Sequence, residues 1–316
     1  MSITDLRIVF LGTPEFAVAS LDALVKGGYN VVAVVTMPDK PAGRGHKMLT
    51  SAVKDYAVEH GLPVLQPEKL KDEVFLEQLR SYHADLQIVV AFRMLPEVVW
   101  NMPRLGTFNL HGSLLPQYRG AAPINWAIIN GEKKTGVTTF FLKQEIDTGN
   151  IIMQRETPIT DDDTVGTVYD RLMGIGAELV IDTVEQILSG DVKAMPQDNI
   201  AAEDLRPAPK IFHDTCRIDF SQTAKQIRDF VRGLSPYPCA WTDLIIGEKR
   251  FDGCKIYTVE THYDMQIATT SDEVPRAHII NHKLFVPCKD GCVEIVDMQL
   301  PGKKRLSARD IINGLR

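Results

Sequence analysis

"RIVFLGTPEFAVASLDALVKGGYNVVAVVTM", residues 7–37, carries two strand patterns with a helical one between them. Its first part, "RIVFLGT", is an uninterrupted apolar run of strand length. The next, "PEFAVASLDALVKGG", spaces its apolar residues as a helix does, with a proline at the entry and a Gly-Gly stop. The last, "YNVVAVVTM", is a second strand. Strands without polar alternation are buried on both faces, as happens when parallel strands are joined through helices. The alternation continues: helix over 51–61, short strand "LPVLQ", helix over 72–83, strand "ADLQIVVAF", short helix "LPEVVWNM" and strand "GTFNL" at 106–110. Then come a helix "APINWAIING", strands "TGVTTFFLK" and "NIIMQRETPI", and one long helix over 164–190. The expected fold class is α/β, a Rossmann-like, mostly parallel sheet.

Beyond residue 190 the texture changes. "DVKAMPQDNIAAEDLRPAPK" (191–210) carries three prolines and no clear period, and reads as a linker. A helix "TAKQIRDFVRGL" and short strands "AWTDLII", "CKIYTVETHY", "AHIINHKLFVPC" and "CVEIVDMQL" follow, the pattern of a small β-barrel or sandwich. The expected domains are 1–190, a linker over 191–209, and 210–316.

Net charge is −6 over 316 residues, which does not advertise a nucleic-acid binder. Residues 1–200 hold 18 Lys+Arg against 25 Asp+Glu, or −7, and residues 201–316 hold 17 against 16, or +1. The C-terminal part therefore tolerates a polyanionic partner better. The opening "MSITDLRIVF" has an acid and no positive lead, and the apolar runs are short, so a cytoplasmic protein without a membrane partner is expected. Five cysteines, Cys216, Cys239, Cys254, Cys288 and Cys292, show no CxxC spacing and read as reduced thiols; no metal is expected.

Asn109 and His111, in "NLHGSLLPQYRG", close the fifth strand and share one face of it. Ligands of open parallel sheets bind beyond the carboxyl ends of strands. A lone strand histidine is also commonly a satisfied core residue, so position alone leaves both readings open. "KQEIDTGNI" (143–151) holds Asp147. A single DTG inside an α/β pattern does not fit the paired aspartates of an all-β protease, and a turn between strands is the plain alternative. Taken together, Asn109, His111 and Asp147 suit attack on a carbonyl by a substrate's own nucleophile. Asn109 and His111 hold the oxyanion, His111 and Asp147 handle the protons, and the carboxylate also holds the imidazole tautomer and stabilises the imidazolium. The stretch has no activated Ser or Cys, since Ser113 lacks a G-x-S-x-G frame.

"NLHGSLLPQYRGAAPINWAIINGEKKTGVTTFFLKQEIDTGNII" resembles the tetrahydrofolate-dependent formyltransferases: Asn-x-His, then Ser-Leu-Leu-Pro, then an Asp some thirty-odd residues on. The likeness covers nearly the whole chain, including "GTPEFA", "PDKPAGRGHK", "RGAAPI", "GLSPYPCAWT" and "MQLPGKKRLSARDIING". It implies Asn109, His111 and Asp147 as catalytic residues, and Ser113, Leu114, Leu115 and Pro116 as the folate-binding turn. Departures are Gly112, where many members have Ala or Pro, and Phe92-Arg93-Met94, where many have Tyr-Gly. The implied donor is 10-formyltetrahydrofolate, a co-substrate. The implied acceptor is the α-amine of initiator methionyl-tRNA, with the protein acting as a monomer and its C-terminal barrel of the oligonucleotide-binding type. Lys40, Arg44 and Lys47, in a cationic Pro/Gly-rich loop that denies regular structure, and Lys303, Lys304 and Arg305 are the implied tRNA contacts. Two alternatives stay open: an amino-sugar nucleotide as acceptor, and a relative that binds nucleic acid without catalysis.

Overall fold

The computed structural model describes residues 2–42, 47–197, 201–267 and 273–315, without the side chains of residues 42, 47 and 202. Two compact units emerge. One comprises Met1–Gly120, Thr135–Thr157 and Tyr169–Pro207; the other comprises Ala121–Lys134, Pro158–Val168 and Ala208–Arg316.

The first unit begins with β1 (Ile8–Gly12), α1 (Glu15–Lys26) and β2 (Val31–Val35), as the opening stretch requires. Helix α1 buries Phe16, Ala17, Ser20, Leu21 and Leu24, a stripe at helical spacing, and gives way to Gly27 and Gly28. A short ribbon follows, β3 (Lys40–Ala42) antiparallel to β4 (Lys47–Leu49). The proline and glycine content had argued against regular structure here. Pro41 is tolerated because a two-stranded ribbon leaves each strand with an outer edge that needs no N–H. Next come α2 (Ala52–Glu59), β5 (Val64–Leu65), α3 (Glu73–Ser81), β6 (Leu86–Val90), α4 (Glu97–Trp100) and β7 (Thr107–His111). Ser51 and Asp72 cap α2 and α3 by accepting from Lys54 and Phe75 N–H.

After α5 (Pro123–Ile129), in the second unit, β8 (Lys134–Phe141) and β9 (Ile151–Pro158) complete a seven-stranded sheet of order β5-β2-β1-β6-β7-β8-β9. Neighbours from β5 to β7 are parallel, and β8 runs antiparallel to β7. Val9, Leu11, Ala33, Val35 and Val89 pack on one face with Leu76 and Leu79 of α3. The intervening Ile8, Phe10, Val34, Ile88 and Val90 are equally buried on the other face. Helix α6 (Val165–Ser189) is the long helix. Chain order turns back between β1 and β6, and the neighbouring β7 ends on that same carboxyl side.

The second unit holds α7 (Ala224–Leu234), opened by a Thr223/Gln226 capping box. Strands β10 (Ala240–Ile246), β11 (Lys249–His262), β12 (Arg276–Ile280), β13 (Lys283–Cys288), β14 (Gly291–Gln299) and β15 (Arg305–Ser307) precede α8 (Ala308–Gly314). The sheet order is β11-β10-β12-β13-β14-β15, and pairing of β11 with β14 closes a five-stranded barrel. "AHIINHKLFVPC" is two strands, β12 and β13. Asn281 and His282 stand at φ 50° and 62°, forming a two-residue hairpin turn without the usual glycine. Among the described residues, no helix is long and apolar enough to cross a membrane.

Candidate active site

Strand β7 pairs with β8 so that Asn109 lies opposite Phe140 and His111 opposite Thr138. His111 is 7% exposed, and its ring meets the edge of Phe140. Its Nε2 lies 2.8 Å from the Tyr118 carbonyl oxygen. A carbonyl can only accept, so Nε2 carries a proton and the neutral ring has its lone pair on Nδ1. Nδ1 is 3.9 Å from Asp147 Oδ2. That nitrogen is therefore the one able to take up a proton, with a carboxylate beside it to stabilise the resulting cation. The second imidazole position is fixed by the backbone.

Asp147 sits on the turn between β8 and β9 at φ 55°, in the left-handed region. Its Oδ2 accepts from Gly120 N–H at 2.9 Å. Gly149 completes the DTG because a Cβ there would lie 1.5 Å from the Phe141 carbonyl oxygen. Asp and Gly are thus turn formers here, as their types suggest, and the same turn delivers a carboxylate to His111. Asn109 is half-buried, and among the described residues its side-chain amide has no hydrogen bond to protein.

The turn after β7 is held from below. Thr138 Oγ1 donates to the Ser113 carbonyl at 2.6 Å and accepts from Leu115 N–H, and Gln154 Nε2 donates to the Leu115 carbonyl at 2.8 Å. Ser113 is buried, its hydroxyl donating to the Gln117 carbonyl. Leu115 packs with Phe140 and Ile151. Leu114 and Pro116 remain half-buried. The "SLLP" stretch therefore divides: Ser113 and Leu115 build the turn, while Leu114 and Pro116 keep part of their apolar surface exposed. Arg93, one of the departures from the pattern, donates to the carbonyls of Glu68 and Pro67 and so ties its loop to the segment after β5.

The remaining sequence candidates lie elsewhere. Lys40 is exposed on β3, Arg44 falls outside the described residues, and of Lys47 only the backbone, on β4, is described. Lys303 and Lys304 are exposed on the turn before β15. Arg305 is engaged: Nε donates to Asp297 Oδ2 at 2.6 Å and the guanidinium lies 4.1 Å from the Tyr257 ring centroid. Sequence reasoning passed over Tyr118, Arg119, Gly120, Thr138, Gln154 and Gln197, whose roles depend on hydrogen bonds, most of them involving backbone groups, that residue types do not reveal. It also passed over Glu260, His262 and Glu294, whose ligand atoms lie within 4.8 Å of one another across β11 and β14. There, Glu294 Oε2 already accepts from His262 Nε2 at 2.8 Å and Lys283 Nζ at 2.9 Å.

The sequence pattern of the formyl transferases matches residues 6–184, and that of the formyl transferase C-terminal domain matches 210–316. Methionyl-tRNA formyltransferase of Parabacteroides distasonis is 62% identical over 317 residues, covering 99% of this chain and 96% of that protein. The enzyme of the same name from Bacteroides fragilis is 59% identical over 313 residues, covering 98% and 95%. Among solved structures, the sugar 3N-formyl transferase WlaRD, in the presence of dTDP and 5-N-formyl-THF, is 20% identical with a TM-score of 0.66, covering 95% of this chain and 99% of that one. HypX from Aquifex aeolicus in complex with tetrahydrofolic acid is also 20% identical, TM-score 0.62, covering 97% and 47%. At that identity the solved structures speak to the fold.

Proposed function

The chain belongs to the formyl transferase family, and from that premise we propose that it transfers the formyl group of 10-formyltetrahydrofolate to the α-amine of methionyl-initiator tRNA, for translation initiation. The observation that carries the choice of acceptor is the near-full-length identity of 62% to a methionyl-tRNA formyltransferase, against 20% to the sugar enzyme.

The chemistry follows from the site. Near its pKa of about 8 a substantial fraction of the acceptor α-amine is neutral and nucleophilic. Its nitrogen attacks the formyl carbon, a C–N bond forms, and the carbonyl oxygen gains the negative charge. Asn109 donates an N–H to that oxygen. The nitrogen's surplus proton passes to His111 Nδ1, because Nε2 is committed to the Tyr118 carbonyl. The imidazolium so formed faces Asp147. It then gives the proton to the folate nitrogen as the second C–N bond breaks, leaving formyl-methionyl-tRNA and tetrahydrofolate. Asp147 holds the cation between the two transfers, as carboxylates do for catalytic histidines. The donor's flat rings would rest on the turn of Ser113, Leu114, Leu115 and Pro116, with Leu114 and Pro116 as the apolar wall and Ser113 and Leu115 holding the turn in place.

The division of labour we propose is catalysis over about 1–190, a linker over 191–209, and tRNA binding on the barrel over 210–316, with Lys40, Arg44, Lys47, Lys303, Lys304 and Arg305 contacting the tRNA. The test is one assay. Purified protein is given 10-formyltetrahydrofolate with either methionyl-tRNA or an amino-sugar nucleotide. Formylated methionyl-tRNA is expected; formylation of the sugar alone would overturn the proposal.

A further inference from the structure

Arg119, in "RGAAPI", and Gln197, in the proline-rich stretch after α6, form a clamp; we propose that this clamp positions Asp147 beside His111, the residue that moves the proton. The proposal rests on the reaction given above. Gln197 is 6% exposed. Its Nε2 donates to the Asp147 carbonyl at 3.0 Å and to the Gly149 carbonyl at 2.6 Å. Its Oε1 accepts from Arg119 Nε at 3.2 Å and Nη2 at 2.8 Å. The amide orientation is therefore fixed, since carbonyls need a donor and a guanidinium needs an acceptor. Both N–H groups and both lone pairs are used. A cationic donor on the oxygen polarises the amide and strengthens its two N–H bonds.

The two carbonyls that Gln197 grips bracket the DTG turn, and Asp147 stands there at φ 55°. A non-glycine residue holds that conformation where its surroundings over-determine it. Three consecutive residues converge on the same task. The Tyr118 carbonyl fixes His111, Arg119 fixes Gln197, and Gly120 N–H fixes the Asp147 carboxylate. The clamp thus sets the separation between Asp147 Oδ2 and His111 Nδ1 from the backbone side. Gln197 and Arg119 meet carbonyls and each other, not groups that exchange protons, so they are positioning residues.

The experiment is a double-mutant cycle in the full chain, with 10-formyltetrahydrofolate and methionyl-tRNA. Gln197→Leu should lower kcat on the order of 100-fold, the scale of a misplacement of about 1 Å, with KM for both substrates within about threefold. Arg119→Ala should cost less, and Arg119→Lys should recover part of that loss, because an ammonium can still donate to Oε1. In an Asp147→Ala background, Gln197→Leu should add less than about threefold, because the two act as a unit. A staple that merely stabilises the loop gives another result: the Gln197→Leu loss multiplies in full with Asp147→Ala, or follows the unfolded fraction measured by thermal melting. Either result overturns the proposal, as does a wild-type kcat in Gln197→Leu. If Gln197→Leu does not fold, Gln197→Glu keeps the shape and the Arg119 pair while turning a carboxylate on two carbonyls, and the same kcat loss is expected. A wild-type protein inactive on methionyl-tRNA contradicts the proposed acceptor instead, and the cycle is then read on the amino-sugar nucleotide.

Discussion

Strands β6 and β10 show how differently the two units treat a polar residue. All five residues of β6 are buried, as in β1. In β10 buried and half-buried residues alternate strictly. A strand of the first kind tolerates a polar side chain where a partner waits for it. Thr107 Oγ1 donates to the Trp100 carbonyl at 2.6 Å, and His111 donates to the Tyr118 carbonyl. A strand of the second kind turns every other side chain toward water, so polar residues are ordinary there. The lesson is that Asn109 and His111 carry information because of where they sit, whereas Lys303, Lys304 and Arg305 are the kind of residue any barrel exposes.

The largest effect is expected at Gly149→Ala in the first unit. Its Cβ would strike the Phe141 carbonyl, so the DTG turn must move, and formylation should fall by about 100-fold or more in the steady-state assay. In the second unit, Asp229→Ala leaves Arg232, 8% exposed and bonded to Asp229 at 2.8 Å, without its carboxylate. Urea unfolding should show a loss of about 3 kcal/mol, while kcat of the folded protein stays near wild type.

A smaller effect concerns pH. Burial pushes the Cys254 thiol up to about 12 and the Cys239 thiol up to about 11. Above about pH 9 the unfolded chain loses these protons while the folded chain keeps them, so stability is full below that pH and declines as pH rises toward 11–12. Cys254→Ala should flatten the fall of the melting midpoint between pH 8 and 10, worth about 1 kcal/mol. Smallest is the salt dependence of tRNA affinity. Lys303→Ala and Lys304→Ala should each reduce the slope by about one. Arg305→Ala should change it less, since Asp297 already partners the guanidinium.

The order of strands and helices was legible because fully apolar runs and helical stripes alternate over most of the first 190 residues. The hairpin at Asn281-His282 was hidden because its turn lacks glycine. The β3–β4 ribbon was hidden because prolines and glycines argue for a loop. Asn109, His111 and Asp147 were legible as residue types at a strand end and a turn, and β7 with the DTG turn brings the last two within 3.9 Å. Their supports were not legible. Gln197 is one glutamine among polar neighbours, and its importance lies in two main-chain carbonyls some fifty residues back. A hydrogen bond to backbone leaves no mark in residue type. The same limit hid Tyr118, which contributes through its carbonyl alone to the His111 tautomer.

In the proposed reaction His111 moves the proton, and Asp147 stabilises its charged form. The most direct measurement is single-turnover transfer from 10-formyltetrahydrofolate to methionyl-tRNA by the wild-type protein and by His111→Asn, at saturating concentrations of both substrates. A loss of roughly 100-fold or more is expected in the variant, with an unfolding midpoint like that of the wild type. A His111→Asn protein that transfers formyl groups at a near wild-type rate would contradict it.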